Sequence, residues 1–177
     1  MAQRGYVIVL VMHGSIPSDF PKAELGEYFD MPRRMREADT GDREALTARH
    51  AALEAKLRSW PRTAETDPYW RGSHELAMGL AARAGVEVLV AFNEFCQPTI
   101  GEAIDAACAA GAPRVVVTTA MLTRGGEHAE KEIPEEVDAA RKRHPGVEIV
   151  YAWPFRTNDI ARFLADEVSG FLQRGAN

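Results

Sequence analysis

Two histidines, His13 and His128, and one carboxylate, Glu94, are the residues of this chain best suited to chemistry on a metal ion. Imidazole nitrogen and carboxylate oxygen together hold first-row divalent cations, and three protein ligands leave positions open for a substrate. Histidine also titrates near neutral pH, so either ring can take a proton released in a reaction. Taken singly, each residue has a plainer role. A strand-end histidine often only caps a helix or sits in a solvated loop, and a loop carboxylate usually faces water. Their common placement favours the site, because each follows an apolar, strand-like run.

His13 directly follows Tyr6–Met12, Glu94 follows Val86–Phe92, and His128 closes the loop after Arg114–Ala120. Continuous Val/Ile/Leu runs bounded by glycine read as strands buried on both faces, as in a parallel sheet. A fourth such run is Val147–Trp153. Helical patterns alternate with them. Ser73–Ala84 has Ser73 as its N-cap and Gly85 as its stop, and Thr99–Ala110 and Pro134–Arg143 follow. Asp159–Gln173 comes last, capped by Asn158 or Asp159. The alternation predicts an α/β fold: an open parallel four-stranded sheet flanked by helices, with right-handed crossovers. The commonest small strand order is 2-1-3-4, which sets the first strand between the second and third. Ligands of open α/β sheets bind beyond the carboxyl ends of the strands, near the point where strand order reverses. The three candidate residues converge there.

Residues 16–70 interrupt this alternation. The stretch is polar and carries Pro17, Pro21, Pro32, Pro61 and Pro68. Arg43–Ser59 has Leu46, Leu53 and Leu57 at helical spacing, with Asp39, Thr40 or Asp42 to cap it, and a shorter helix is expected over Lys22–Phe29. Structureless loops of this length are uncommon in compact domains, so the stretch is read as a mostly helical insertion within one domain spanning 1–177.

The chain has 177 residues, a net charge of −5 and a pI near 5.6, which argues against nucleic acid as the main partner. Cys96 and Cys108 form no CxxC pair, which fits a reducing cytoplasm. The Tyr6–Met12 run is too short to cross a bilayer, so no membrane association is expected. GxSxG, GxGxxG and the Walker lysine are all missing, which removes three common catalytic and nucleotide-binding signatures. Gly14, Gly125 and Gly126 would let loop backbone approach a ligand closely. Cys96 could be a soft ligand but more often would be a small buried hydrophobe. His50 and His144 read as surface residues, and His74 as a helix first-turn residue. Glu127, Glu130 and Glu132 surround His128, either as a solvated helix start or as a path that collects cations.

Taken together, these pieces resemble the class II tetrapyrrole chelatases of the sirohydrochlorin cobaltochelatase and ferrochelatase type (CbiX/SirB-like). The matching residues are the strand into His13-Gly14-Ser15, the run Val90–Thr99, Gly111–Thr119, Met121–His128 continuing to Pro134, and Trp153-Pro154-Phe155 with the last helix. The resemblance covers about residues 5–15 and 72–172. It implies insertion of Co²⁺ or Fe²⁺ into sirohydrochlorin or a related tetrapyrrole, in cobalamin or sirohaem biosynthesis, with no organic cofactor. It places His13 and His128 at the family's two metal-handling histidines and Glu94 at its acidic position. Ser15, Arg124, Gly125, Gly126 and Arg156 become candidates for contact with the carboxylate-rich macrocycle. A single repeat implies a homodimer. Two other functions stay open: a metal or tetrapyrrole carrier on the same scaffold, and a metal-assisted hydrolase. Insertion 16–70 departs from the family pattern and is a candidate lid, oligomer contact or substrate wall.

Overall fold

Four parallel strands form the centre of this computed structural model, which describes residues 5–175. They are β1 (Val7–Met12), β2 (Val88–Phe92), β3 (Arg114–Thr119) and β4 (Glu148–Tyr151), in the order β2-β1-β3-β4. The 2-1-3-4 order expected from the sequence is the one observed. Each strand is one to three residues shorter than its apolar run. In register, Leu10 of β1 lies beside Val90 of β2 and Thr118 of β3.

Side chains of β1 alternate between two cores, as a period of two requires. Val9 and Val11 join Val115 and Val117 beneath α4 (Ile100–Ala109) and α5 (Ile133–Arg143), meeting Ile100, Ile104, Ile133 and Val137. On the opposite face, Leu10, Met12, Val90 and Phe92 pack with Cys96 and Ala77 under α3 (Pro68–Ala84). Thr99 closes the start of α4 with a reciprocal capping box to Glu102. Gly85 stops α3 in the left-handed conformation, as the sequence leads one to expect.

Helix boundaries differ from the sequence reading in several places. Helix α3 starts at Pro68 with Asp67 as its cap, so Ser73 is not an N-cap. The Ser73 hydroxyl instead donates back to the Tyr69 carbonyl at 2.8 Å, one turn earlier in the helix. Helix α1 (Lys22–Glu37) runs through Pro32 rather than ending at Phe29. Met31 is buried as its anchor, and Arg33 bonds Asp30 across the proline and Glu37 one turn beyond it, so tertiary and side-chain contacts offset the lost backbone bond. The last helix, α6 (Thr157–Gly175), takes Asn158 and Asp159 inside its first turn instead of using either as its cap.

Helix α2 (Thr40–Arg58), capped by Asp39, pairs with α1 as a hairpin inserted between β1 and α3. Arg49–Glu27 and Lys56–Glu24 ion pairs join the two helices, and Leu53 and Leu57 are buried. No helix of the described residues is long and apolar enough to cross a membrane.

Candidate metal centre

The ends of β1 and β2 are tied together by backbone before any side chain is considered. The Asn93 amide donates to Met12 O at 2.9 Å and the Glu94 amide to His13 O at 2.8 Å. The ladder therefore continues past both strands and sets His13 and Glu94 side by side. Gly14, with φ +105°, lets the chain turn away immediately afterwards.

His13, Glu94 and His128 each offer a ligand atom, and those atoms all lie within 4.8 Å of one another. His13 Nε2 is 3.4 Å from Glu94 Oε2, and the two imidazole rings meet edge to face with centroids 4.8 Å apart. All three side chains are partly exposed, so an ion can reach them from solvent. A separation of 3.4 Å is long for a hydrogen bond, and it leaves the Glu94 carboxylate uncommitted.

Second contacts fix which nitrogen each ring presents. His13 Nδ1 lies 3.0 Å from its neighbour's carbonyl, Gly14 O, and donates there, which leaves the Nε2 lone pair facing Glu94. His128 lies on a single π-type turn, His128–Glu132, that leads into α5. Its Nδ1 is 2.8 Å from Glu132 Oε2, and Asn93 Nδ2 donates to the same oxygen at 2.5 Å. These bonds from Asn93 and His128 hold the Glu132 carboxyl below its usual range, so it accepts rather than donates. Asn93 Nδ2 also lies 2.8 Å from His128 Nδ1, and the carboxylate beside that nitrogen favours the tautomer with its proton on Nδ1 and Nε2 free. Such carboxylate–histidine pairs orient metal-binding imidazoles.

The hairpin braces the Glu94 loop from behind. Arg58 of α2 reaches the carbonyls of Asn93 and Cys96 at 3.4 Å each, and its own carbonyl accepts from the Gln97 amide at 3.1 Å. Arg62 bonds Phe95 O, Ser15 O and Leu57 O and forms a buried ion pair with Asp67. Tyr69 of α3 accepts the His13 amide at 3.1 Å.

The sequence-proposed substrate contacts fare unequally. Ser15 is turned inward and donates to Asp67 Oδ1 at 2.5 Å, so its hydroxyl ties the loop after β1 to the start of α3. Arg124 and Gly126 are exposed in the loop after β3, on the His128 side. Gly125 has φ +85°, and its amide already donates to Glu130 at 2.9 Å. Arg156 is 86% exposed and pairs with Asp159, away from the cluster's own contacts. Of the acidic group around His128, Glu132 orients the histidine, Glu130 holds Gly125, and Glu127 pairs with Lys131. Cys96 is buried, and burial pushes its thiol up to about 11, so it offers no thiolate. Two other histidines are less free than the sequence suggested. His50 stacks on Tyr28, and His144 pairs with Asp105 at 2.6 Å.

Sequence reasoning missed Asn93, Tyr69 and the specific role of Glu132. Glu132 lies four residues from His128, a spacing that puts both on one helical face. Tyr69 carries no local signal, since its contact with His13 spans 56 residues.

A protein-family model described as CbiX matches residues 66–169, and the chain belongs to the CbiX family. Among curated proteins, a sirohydrochlorin ferrochelatase of Priestia megaterium is 34% identical over 70 residues, which is 40% of this chain and 26% of that protein. A sirohydrochlorin cobaltochelatase of the same organism is 36% identical over 78 residues, 44% of this chain and 25% of that protein. The aligned stretch thus spans about a quarter of the length of either relative. A solved structure described as a CbiX protein from Marinobacter aquaeolei VT8 shares the fold, with a TM-score of 0.54 and 17% identity over 97% of this chain and 98% of that one.

Proposed function

We propose that this protein inserts a divalent metal, Co²⁺ or Fe²⁺, into sirohydrochlorin or a closely related tetrapyrrole, in cobalamin or sirohaem biosynthesis. The observation that carries the reading is the convergence of His13, Glu94 and His128 within 4.8 Å at the strand ends of a CbiX-family fold. The metal is a substrate, held by the Nε2 atoms of the two histidines and by Glu94. Three partly exposed ligands suit a cation that must be released as well as bound, and imidazole suits cobalt and iron alike.

The macrocycle must lose two pyrrole protons as the metal enters. Once the metal has left it, His13 Nε2 can accept these protons in turn, passing each to Glu94 Oε2 at 3.4 Å and on to solvent. His128 is held by Glu132 and Asn93, so its contribution is orientation of one metal-binding nitrogen. Metal and macrocycle supply the whole reaction, and no organic cofactor takes part.

The reading extends to a homodimer in the cytoplasm. The two cysteines are free thiols, in keeping with a reducing compartment. Helix α6 buries none of its residues, yet Phe163, Leu164, Val168, Phe171 and Leu172 form an exposed stripe at helical spacing. Val116, Thr118 and Val150 on the α3-side face of β3 and β4 are only half-buried. A second copy's α6 would cover that face, and two-fold symmetry would repeat the contact.

An absorbance time course of sirohydrochlorin with Co²⁺ tests the activity, run with no protein, with the unchanged chain and with His13→Ala. The expected result is protein-dependent metal insertion that the variant loses. No acceleration with Co²⁺, Fe²⁺ or Ni²⁺ would overturn it.

A further inference from the structure

Three aromatic rings step outward from the metal centre. The Phe95 ring lies 6.5 Å from that of His13, and the Phe29 ring of α1 lies 6.3 Å from that of Phe95. Phe29 is 55% exposed, although it is a large apolar residue on a helix whose buried anchor is Met31. Packing of the hairpin therefore does not account for it. The neighbouring Tyr28 stacks on His50 and meets Phe29 edge to face with centroids 5.2 Å apart. This part of α1 thus presents Phe29 beside the Phe95 ring, one ring away from His13.

Phe95 supplies a second, independent observation. It is the one non-glycine residue at positive φ among the described residues, at 57°. Such backbone is costly for a bulky side chain and is retained where surrounding structure imposes it, often at ligand clamps. Here a tight turn imposes it, with the Cys96 amide on Glu94 O at 2.7 Å and Arg62 on Phe95 O. The Phe95 ring is thereby held between His13 and the hairpin, beside a neighbour, Cys96, that does enter the core.

We propose that Phe29 and Phe95 form an apolar shelf beside the metal-binding residues, on which the flat conjugated face of the tetrapyrrole lies, with Phe29 a specificity residue supplied by the inserted hairpin. This rests on the chelatase reading above. A carboxylate-rich macrocycle keeps its rim in water but gains by stacking its face on aromatic carbon. The hairpin is braced by Arg58 and Arg62, so the shelf stands at a fixed distance from the metal ligands. The residues matched by the family model begin at 66, after the hairpin, so Phe29 lies outside that match while Phe95 lies within it.

Fluorescence quenching of metal-free sirohydrochlorin tests the shelf on the unchanged chain, Phe29→Ala and Phe29→Trp, with Co²⁺ affinity measured separately by calorimetry. Phe29→Ala is expected to weaken macrocycle binding about five- to tenfold, the scale of one aromatic contact. Phe29→Trp should retain binding, and Co²⁺ affinity should be equal in all three. Equal macrocycle binding by Phe29→Ala and the unchanged chain overturns the shelf and leaves the chelatase reading standing. An unchanged chain that binds Co²⁺ but no macrocycle overturns both.

Discussion

A β-carbon on Gly14 would stand 1.9 Å from the carbonyl oxygen of Glu94. The two ligand loops touch through bare backbone, and only glycine, at φ +105°, permits the approach. Gly14→Ala is therefore expected to push the Glu94 loop away from His13. Steric and φ costs of this kind run to about 2–4 kcal/mol. Denaturant unfolding should show that loss, and calorimetry should show Co²⁺ affinity down by more than about tenfold, in line with lost ligand geometry.

Glu132→Gln keeps the size of the side chain that orients His128 but removes its charge. The amide can present an N–H to Nδ1, which would turn the imidazole proton onto Nε2, the wrong nitrogen for a metal. Co²⁺ affinity should fall by about 10–100-fold, the usual scale for loss of a histidine's orienting carboxylate. An unchanged circular dichroism spectrum with unchanged affinity would remove Glu132 from the site.

Arg62 and Asp67 form an ion pair whose side chains are 4% and 1% exposed. Removing one partner of such a pair leaves a buried charge and costs about 3–5 kcal/mol. Asp67→Ala should lose that much in urea unfolding, more than any exposed ion pair of the hairpin. Replacing Lys56 of the Lys56–Glu24 pair should cost under about 1 kcal/mol. Equal effects of the two substitutions would contradict this assignment.

The Cys96 thiol, pushed up to about 11 by burial, stays neutral at pH 8. It should react with iodoacetamide far more slowly than the same thiol in the unfolded chain. The folded form keeps its proton where the unfolded thiol, near 9, has lost it. Stability from this group is therefore complete below pH 9 and declines as pH rises from 9 toward 11. Cys96→Ser should flatten that alkaline decline in urea titrations.

Phe171 is 70% exposed and Leu164 faces the same side of α6. The proposed dimer predicts that the unchanged chain is dimeric by light scattering and that a Leu164→Asp/Phe171→Asp variant is monomeric. A dimer that survives the double change would move the interface elsewhere.

The sequence made the sheet readable because buried parallel strands leave continuous apolar runs, as in Val7–Met12, and the half-covered Arg114–Thr119 still carries three valines in a row. The same runs pointed to His13, Glu94 and His128, since loops at adjacent strand ends must meet. Ser73 misled as a cap because a hydroxyl inside a helix bonds the preceding turn as readily as it caps an end. Asp67-Pro68 carried the true start, with proline at the first helical position. Ser15 looked like a substrate contact because nothing local reveals that its partner, Asp67, comes from 52 residues away. Tyr69, Arg58 and Arg62 act on the site through equally distant contacts, which no spacing rule can reach.

Asp67 caps α3 through the Trp70 amide, accepts the Ser15 hydroxyl and pairs with Arg62. It can do all three only after the first strand, the hairpin and the third helix have arrived. Loop closure over such separations is slow relative to local helix formation. The loops of His13 and Glu94, which Arg62 also ties to this junction, are thus expected to set late, together with the hairpin. Under the proposed metal-binding role, a nascent chain would hold these side chains apart until folding is nearly complete, and cation capture would mark the finished molecule.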